Sequence, residues 1–163
     1  MLTLARERLV EAVPNKGFRV LEVSRTELAQ INQVRLLLEP SAIASLAGRL
    51  SPIEQEGLRG HVDLILERAQ SGNKAGASAA AFVFQDVLLS LCPNEQLVDT
   101  IVSLRTRARA GYPETSIDYS RFAATQYGLI DDLAANHKER VARTIAYGVS
   151  RLGAPLRQVP SGS

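Results

Sequence analysis

Apolar residues after Ser24 recur every three or four positions, the spacing that places them on one face of an α-helix. Six such segments follow one another along the chain. Their apolar positions are Leu28, Ile31, Val34 and Leu38; Leu58, Val62, Ile65, Leu66 and Ala69; Ala81, Phe84, Leu88 and Leu91; Leu97, Val98, Ile101 and Leu104; Phe122, Leu129, Ile130 and Leu133; and Val141, Ile145, Val149 and Leu152. The pattern predicts an all-α fold, a six- to seven-helix antiparallel bundle.

Two helix starts carry capping signals. Ser24 with Glu27 and Ser51 with Glu54 have the capping-box spacing, in which each residue bonds the other's backbone N–H. Pro52 follows Ser51 and suits the first helical position, since a proline there loses no hydrogen bond. These residues predict that the first two helices begin at about 25 and 52.

Other residues predict helix ends and interruptions. Pro40 lies inside the first segment and predicts a kink in a helix that continues to about Leu50. Asn94 follows Pro93 and is the predicted N-cap of the fourth helix.

The first twenty residues differ from the rest. Two β-prone runs, Leu9–Val13 and Phe18–Val20, flank the turn sequence Pro14-Asn15-Lys16-Gly17 and predict a small hairpin. The preceding "LTLARER" has the pattern of a helix tail. Because a lone hairpin on a helix stub is not stable, we expect the chain to begin inside a domain.

Composition narrows the class of protein. The chain has 163 residues, 45% of them hydrophobic, and a net charge of +2, which is too small to indicate nucleic-acid binding by itself. No apolar run is long enough for a membrane span or a signal peptide, so a cytoplasmic protein without membrane contact is expected. Cys92 is the single cysteine and lies on an apolar helix face, which predicts a buried, inert thiol.

Three positions on apolar faces carry unexpected residues. Gln85 lies beside the stripe of the third helix, Gln126 within that of the fifth, and Gly148 on that of the sixth. A buried glutamine without partners costs about 1–3 kcal/mol, and a mid-helix glycine about 1 kcal/mol. Either the three residues line a shared polar cavity, or they are separate core amides and a glycine that permits close helix packing.

Arginines on the first and fourth helices also have two interpretations. Arg35 either reaches inward as an anion anchor or pairs with Glu39 one turn away on the surface. Arg105, Arg107 and Arg109 alternate and cannot share one helix face, which favours a solvated or partly inward set over a nucleic-acid stripe.

Residues for catalysis are scarce. The two histidines, His61 and His137, have no second histidine within helical reach, which disfavours a histidine-based metal site. No serine–histidine–aspartate set, P-loop or dinucleotide fingerprint is present. We expect the protein not to be an enzyme.

Several segments together resemble a bacterial GntR-type transcription regulator of the FadR subfamily. "ERLVEAVPNKGFRV" is similar to the end of the recognition helix and the wing of a winged helix-turn-helix. "EVSRTELAQINQVRLLLEPSAIASLA", "LRGHVDLILERAQSGN" and "FQDVLLSLCPNEQLVDTIVSL" resemble parts of the ligand-sensing FCD domain. The resemblance implies a wing remnant at 1–22, an effector-binding and dimerisation domain at 23–153 and a flexible tail at 154–163.

The resemblance also places a metal site. Many members hold a metal with one aspartate and three histidines, and the matching positions here are Ala81, Gln85, Gln126 and Gly148. None of these is a good ligand for Zn²⁺ or Ni²⁺, so no metal cofactor is expected. A small organic acid or similar effector is expected at these four positions and at Arg35, which in relatives can meet an effector carboxylate.

The DNA-reading helix of such regulators is missing from the sequence. Lys16, Gly17 and Arg19 of the wing are the expected DNA contacts, and they position a protein without specifying sequence. The sequence therefore predicts weak operator binding by this polypeptide alone, with operator DNA as partner of the full-length form.

Two functions fit these expectations. The first is the sensing part of a homodimeric regulator in which effector binding modulates operator binding. The alternative is a truncated interaction module that dimerises with full-length relatives and lacks DNA binding of its own.

Overall fold

The computed structural model describes residues 10–13, 17–20, 22–112 and 117–153. Two short strands precede six helices in the described ranges. The helices are α1 (Arg25–Ala44), α2 (Pro52–Gln70), α3 (Lys74–Ser90), α4 (Glu95–Gly111), α5 (Tyr119–Ala134) and α6 (Lys138–Gly153). The helical fold predicted from the apolar period is confirmed.

The strands β1 (Val10–Val13) and β2 (Gly17–Val20) pair antiparallel, with Val10 opposite Val20. The predicted turn at 14–16, the helix tail before residue 9 and the tail from 154 lie outside the described residues. That this pair of strands is the wing of a DNA-binding domain stays a prediction.

The helices begin where the capping residues predict. The Ser51 side chain accepts the Glu54 N–H, and the Glu54 carboxylate accepts the Ser51 N–H at 2.7 Å, so the capping box is complete. The Asn94 side chain accepts the Leu97 N–H at 3.1 Å and caps α4. The Ser24 side chain caps α1 in the same way through the N–H of Glu27.

Helix α1 passes through Pro40 but ends at Ala44, so the predicted extension to Leu50 is wrong. The chain turns because Gly48 has a left-handed φ of +74°, and its N–H donates to the Leu133 carbonyl at 2.8 Å. The turn after α1 is thereby fixed to the end of α5.

The core is aliphatic and runs through the helices. Helix α1 packs against α6 and α4, while α2 packs against α3 and α5. The largest fully buried apolar side chains are Phe84, Ile43, Leu58, Ile65, Leu89, Ile101, Leu129, Ile130, Leu133, Val62 and Val141. Cys92 is buried against this cluster, as predicted.

Gly48→Ala is expected to destabilise the protein by about 1–2 kcal/mol, since an L-residue is strained in the left-handed region. The added Cβ would also lie 3.0 Å from the Asn136 side chain. Gly60→Ala is the control: Gly60 lies in mid-helix with nothing within 4 Å of the added Cβ, so stabilisation of about 0.5–1 kcal/mol is expected. Urea unfolding measures both, and equal effects of the two variants would contradict the account of this turn.

Candidate functional site

A buried ion triad joins α1 to α4. The Glu39 carboxylate accepts Arg35 Nε at 2.6 Å, and it accepts Arg105 Nε and Nη2 at 3.2 and 2.9 Å. Glu39, Arg35 and Arg105 are 2%, 4% and 6% exposed. Two guanidinium groups therefore share one carboxylate away from water, leaving one positive charge in excess.

Two polar residues extend the triad toward the C-terminal end of α4. Arg35 Nη1 donates to Asn32 Oδ1 at 3.2 Å and to the Tyr112 hydroxyl at 2.5 Å. The Tyr112 hydroxyl donates to the same Asn32 oxygen at 3.1 Å. Asn32, Arg35 and Glu39 recur at helical spacing on the buried face of α1, so this face carries a polar stripe within the core.

The triad also reaches α3. Arg105 Nη1 donates to the backbone carbonyl of Gln85 at 2.9 Å and lies 3.7 Å from Asp86 Oδ1. Arg109 pairs with Asp86 at 2.9 Å, and its guanidinium lies 4.2 Å from the centroid of the Phe82 ring. Helix α4 is thus bound through arginines to both α1 and α3.

The α4 arginines form the partly inward set that was one of the two predicted arrangements. Arg105 is buried, and Arg107, on the opposite side of the helix, pairs with Glu27. Arg105 and Arg109, one turn apart on the same face, both lie beside Asp86, whereas Arg107 points away from them.

Electrostatics keep the triad charged. Burial alone would raise the pKa of Glu39, but the Arg105 and Arg35 guanidiniums outweigh burial and hold that pKa below its ordinary value of 4.5. Burial raises the pKa of the Tyr112 hydroxyl above 10.0, although Arg35 acts in the opposite direction. At neutral pH the carboxylate is ionised and the phenol is protonated.

Two buried polar atoms have no hydrogen-bond partner within the described residues, Asn32 Nδ2 and Arg107 Nε. A donor left in this state costs about 1–3 kcal/mol. The Asn32 amide belongs to the same network as the excess positive charge.

The comparisons with known proteins identify this helical domain. The FCD domain matches residues 30–148. The chain belongs to the FCD domain family. No curated protein matches the sequence significantly.

Solved structures share the fold of this FCD domain. E. coli McbR/YncC aligns with a TM-score of 0.79 and 20% identity, over 92% of this chain and 77% of that one. A transcriptional regulator named GntR from Rhodococcus sp. RHA1 aligns at 0.71 and 17%, over 93% and 74%. Lar, which controls expression of the Listeria monocytogenes agr system, aligns at 0.69 and 16%, over 93% and 74%.

The predicted effector positions fall in different environments of the FCD domain. Ala81 is buried on α3, Gln85 is half-buried one turn later, and Gln126 is buried on α5. Gln85 contacts the ion network through its backbone carbonyl. Gly148 is exposed, and a Cβ added there would meet nothing within 4 Å, so the prediction that it lies on the buried stripe is wrong.

The prediction that Arg35 pairs with Glu39 was right about the partner and wrong about the place. The pair is formed in the interior, where Arg105 completes it. The sequence analysis missed Asn32 and Tyr112. Asn32 lies three positions before Arg35 on the apolar face of α1. An amide on an apolar helix face was the pattern that identified Gln85, and it identifies Asn32 as well.

Metal ligands do not converge in the described part of the chain. No group of three or more histidine, cysteine, aspartate or glutamate residues there is placed to hold a metal ion. His137 instead lies with its Nδ1 3.0 Å from Asp132 Oδ1, in the turn between α5 and α6.

An open groove of about 340 Å³ lies apart from the ion network. Its lining residues are Ala69, Lys74, Ile117, Asp118, Tyr119 and Ser120. None of the predicted effector residues lines it, so this groove is not the cavity that the sequence analysis expected.

Lys16 lies outside the described residues, and so does the side chain of Arg19. Gly17 is the first residue of β2. The predicted DNA contacts therefore stay predictions. Across the described ranges, no helix has the length and apolar character to cross a membrane.

Glu39→Gln is expected to destabilise the protein by about 3–5 kcal/mol, because it leaves the buried Arg35 without an anion and Arg105 with only the exposed Asp86, 3.7 Å away. The folded-state pKa of Glu39 is depressed, so its contribution is complete above pH 4.5 and is lost as the pH falls through the folded-state value. The variant should therefore lose stability less steeply than the wild type below pH 4.5. Urea unfolding at several pH values measures this, with exposed Glu67→Gln as control. An unchanged pH slope would contradict the role of Glu39.

Proposed function

We propose that this FCD domain is the effector-sensing and dimerisation portion of a bacterial GntR-type transcription regulator. Binding of a small organic acid among the helices modulates operator binding by the complete regulator. The observation that carries the proposal is the ion triad, in which two buried guanidiniums face one carboxylate. An excess positive charge inside an FCD bundle favours an anionic ligand.

Membership of the FCD family and the structures with a similar fold support the regulator role. A structural neighbour, Lar, controls expression of a gene system, and another is named a transcriptional regulator. Those names describe those proteins, and their fold is the support for the same role here. The strands β1 and β2 suit a wing whose contacts would be Lys16, Gly17 and Arg19.

Effector contacts in this proposal come from three helices. Arg35 supplies positive charge on α1, Ala81 leaves space on α3, and Gln85 and Gln126 supply amide donors and acceptors. Gly148 is exposed and is not among the proposed effector contacts. The expected ligand is an acid rather than a neutral sugar, since the arginines of the network outnumber their acidic partners, Glu39 and Asp86.

Dimerisation is part of the same proposal. Regulators of this kind read paired half-sites, which a two-fold symmetric dimer matches. Exposed apolar residues on α1, Val34 and Leu37, are 42% and 77% exposed and support a protein partner. We place the regulator in the cytoplasm, where its operator is.

A thermal-shift screen of organic acids tests the sensing function. An acid at one hundred times its dissociation constant should stabilise the chain by about 2.7 kcal/mol, a rise in Tm of roughly 5–10 °C. Gln126→Leu should weaken that acid about tenfold by removing a hydrogen bond to a charged group. Gln96→Leu, on the exposed side of α4, is the control. If no acid raises the Tm, the sensing function is wrong.

The domain is expected to bind the organic acid without a metal cofactor. Ala81, Gln85 and Gln126 offer no carboxylate or imidazole, so Zn²⁺ and Ni²⁺ should give no saturable heat in calorimetric titration of the untagged chain at micromolar concentration. One-to-one metal binding, or acid binding that appears only with metal, would contradict this part of the proposal.

A further inference from the structure

The side-chain amide of Asn32 has a fixed orientation. Its Oδ1 accepts from Arg35 Nη1, which is a donor and cannot accept. Its Nδ2 therefore points away from Arg35, and it is buried with no hydrogen-bond partner in the described chain. Asn32 itself is only 5% exposed.

None of the polar neighbours of Asn32 accepts from this donor. The Tyr112 hydroxyl accepts from Arg35 and donates to Asn32 Oδ1. Both carboxylate oxygens of Glu39 accept from guanidiniums. These groups bond one another and leave Nδ2 unpaired, so an acceptor oxygen from another molecule would complete the hydrogen bonding of the amide.

The charge of the network points to the same kind of partner. Arg35, Arg105 and Glu39 together carry one excess positive charge. Asp86 lies 3.7 Å from Arg105 but also pairs with Arg109, so including both leaves the same excess, and the Tyr112 phenol is neutral at pH 7. One anionic group with acceptor oxygens supplies the missing charge and the missing hydrogen-bond acceptor. A single carboxylate group carries one negative charge and matches both, whereas a phosphate dianion places two negative charges on the one group that enters the site.

We propose that Asn32 is a ligand-contacting residue of the FCD domain, donating its Nδ2 to a carboxylate oxygen of the effector beside Arg35 and Tyr112. This inference rests on the proposed sensing function and deepens it. It names the ligand group that is recognised, and it adds a contact on α1 that lies outside the metal positions of the family.

Asn32→Asp tests the contact with little change in shape. The variant keeps an oxygen for Arg35 and Tyr112, and it replaces the unpaired donor with an anionic oxygen. The excess positive charge disappears, and a ligand carboxylate is repelled. Asn73→Asp is the matched control, because Asn73 caps α3 by accepting the Gly76 N–H at 2.8 Å and an aspartate does the same.

The experiment measures thermal unfolding of the full chain in titrations with acetate, succinate, citrate and inorganic phosphate, against sodium chloride of equal ionic strength. We expect at least one carboxylate to raise the Tm of the wild type and of Asn73→Asp saturably. Asn32→Asp should bind that carboxylate at least tenfold more weakly.

Each outcome decides between the two proposals. Equal carboxylate binding by wild type and Asn32→Asp overturns the Asn32 contact and leaves the sensing function standing. Stabilisation by phosphate alone overturns the carboxylate class. No stabilisation of the wild type by any of these anions overturns both.

A second measurement covers the case in which Asn32→Asp does not fold. The side-chain amide ¹H–¹⁵N resonances of Asn32 are followed in wild-type chain labelled at asparagine during the same titrations. A saturable shift supports the contact. Resonances that do not shift while the Tm rises overturn it. Detection of a long-lived water bonded to the Asn32 amide, by water–amide cross-relaxation, also overturns it.

Discussion

The Glu39 carboxylate is the group on which the arrangement of α1 and α4 depends. Its two oxygens accept three hydrogen bonds, one from Arg35 of its own helix and two from Arg105 of α4. Helix α4 also packs through apolar side chains, with Ile101 and Ala108 buried and Leu97 and Val98 partly buried against the core. Removing one charge from such a cluster costs far more than the intact cluster contributes, because desolvated ions lack alternatives.

Contacts of α4 also link the buried ion triad to the start of the helical domain. Arg107 reaches Glu27 in the first turn of α1, and Gly111 packs so closely on Val23 that an added Cβ would lie 3.0 Å from it. Contacts of α4 therefore extend from the ion triad to the residues that lead toward β2. The ligand proposed beside Arg35 would therefore bind a network whose α4 side also contacts this connection.

The polar centre of the interior is formed by side chains other than those at the positions where the sequence resemblance places a metal. Ala81 contributes no donor, and Gln85 takes part through its backbone carbonyl. The charges that remain inside belong to α1 and α4. A buried ionic network is costly to maintain, and an apolar core would serve stability as well or better. In the proposed function, the network recognises a charged ligand.

The sequence by itself determined the helices and their starts, because a 3.6-residue period and capping residues such as Ser51 and Asn94 act over a few positions. It also predicted the burial of Cys92 and of Gln126. Only the tertiary structure decided that Arg35 and Glu39 pair in the interior, that α1 ends before Gly48, and that Gly148 faces solvent. These outcomes depend on partners far along the chain: Arg105 is 66 residues from Glu39, and Tyr112 is 80 from Asn32. Local spacing shows which residues share a helix face, but which helix covers that face is fixed by packing of the whole chain.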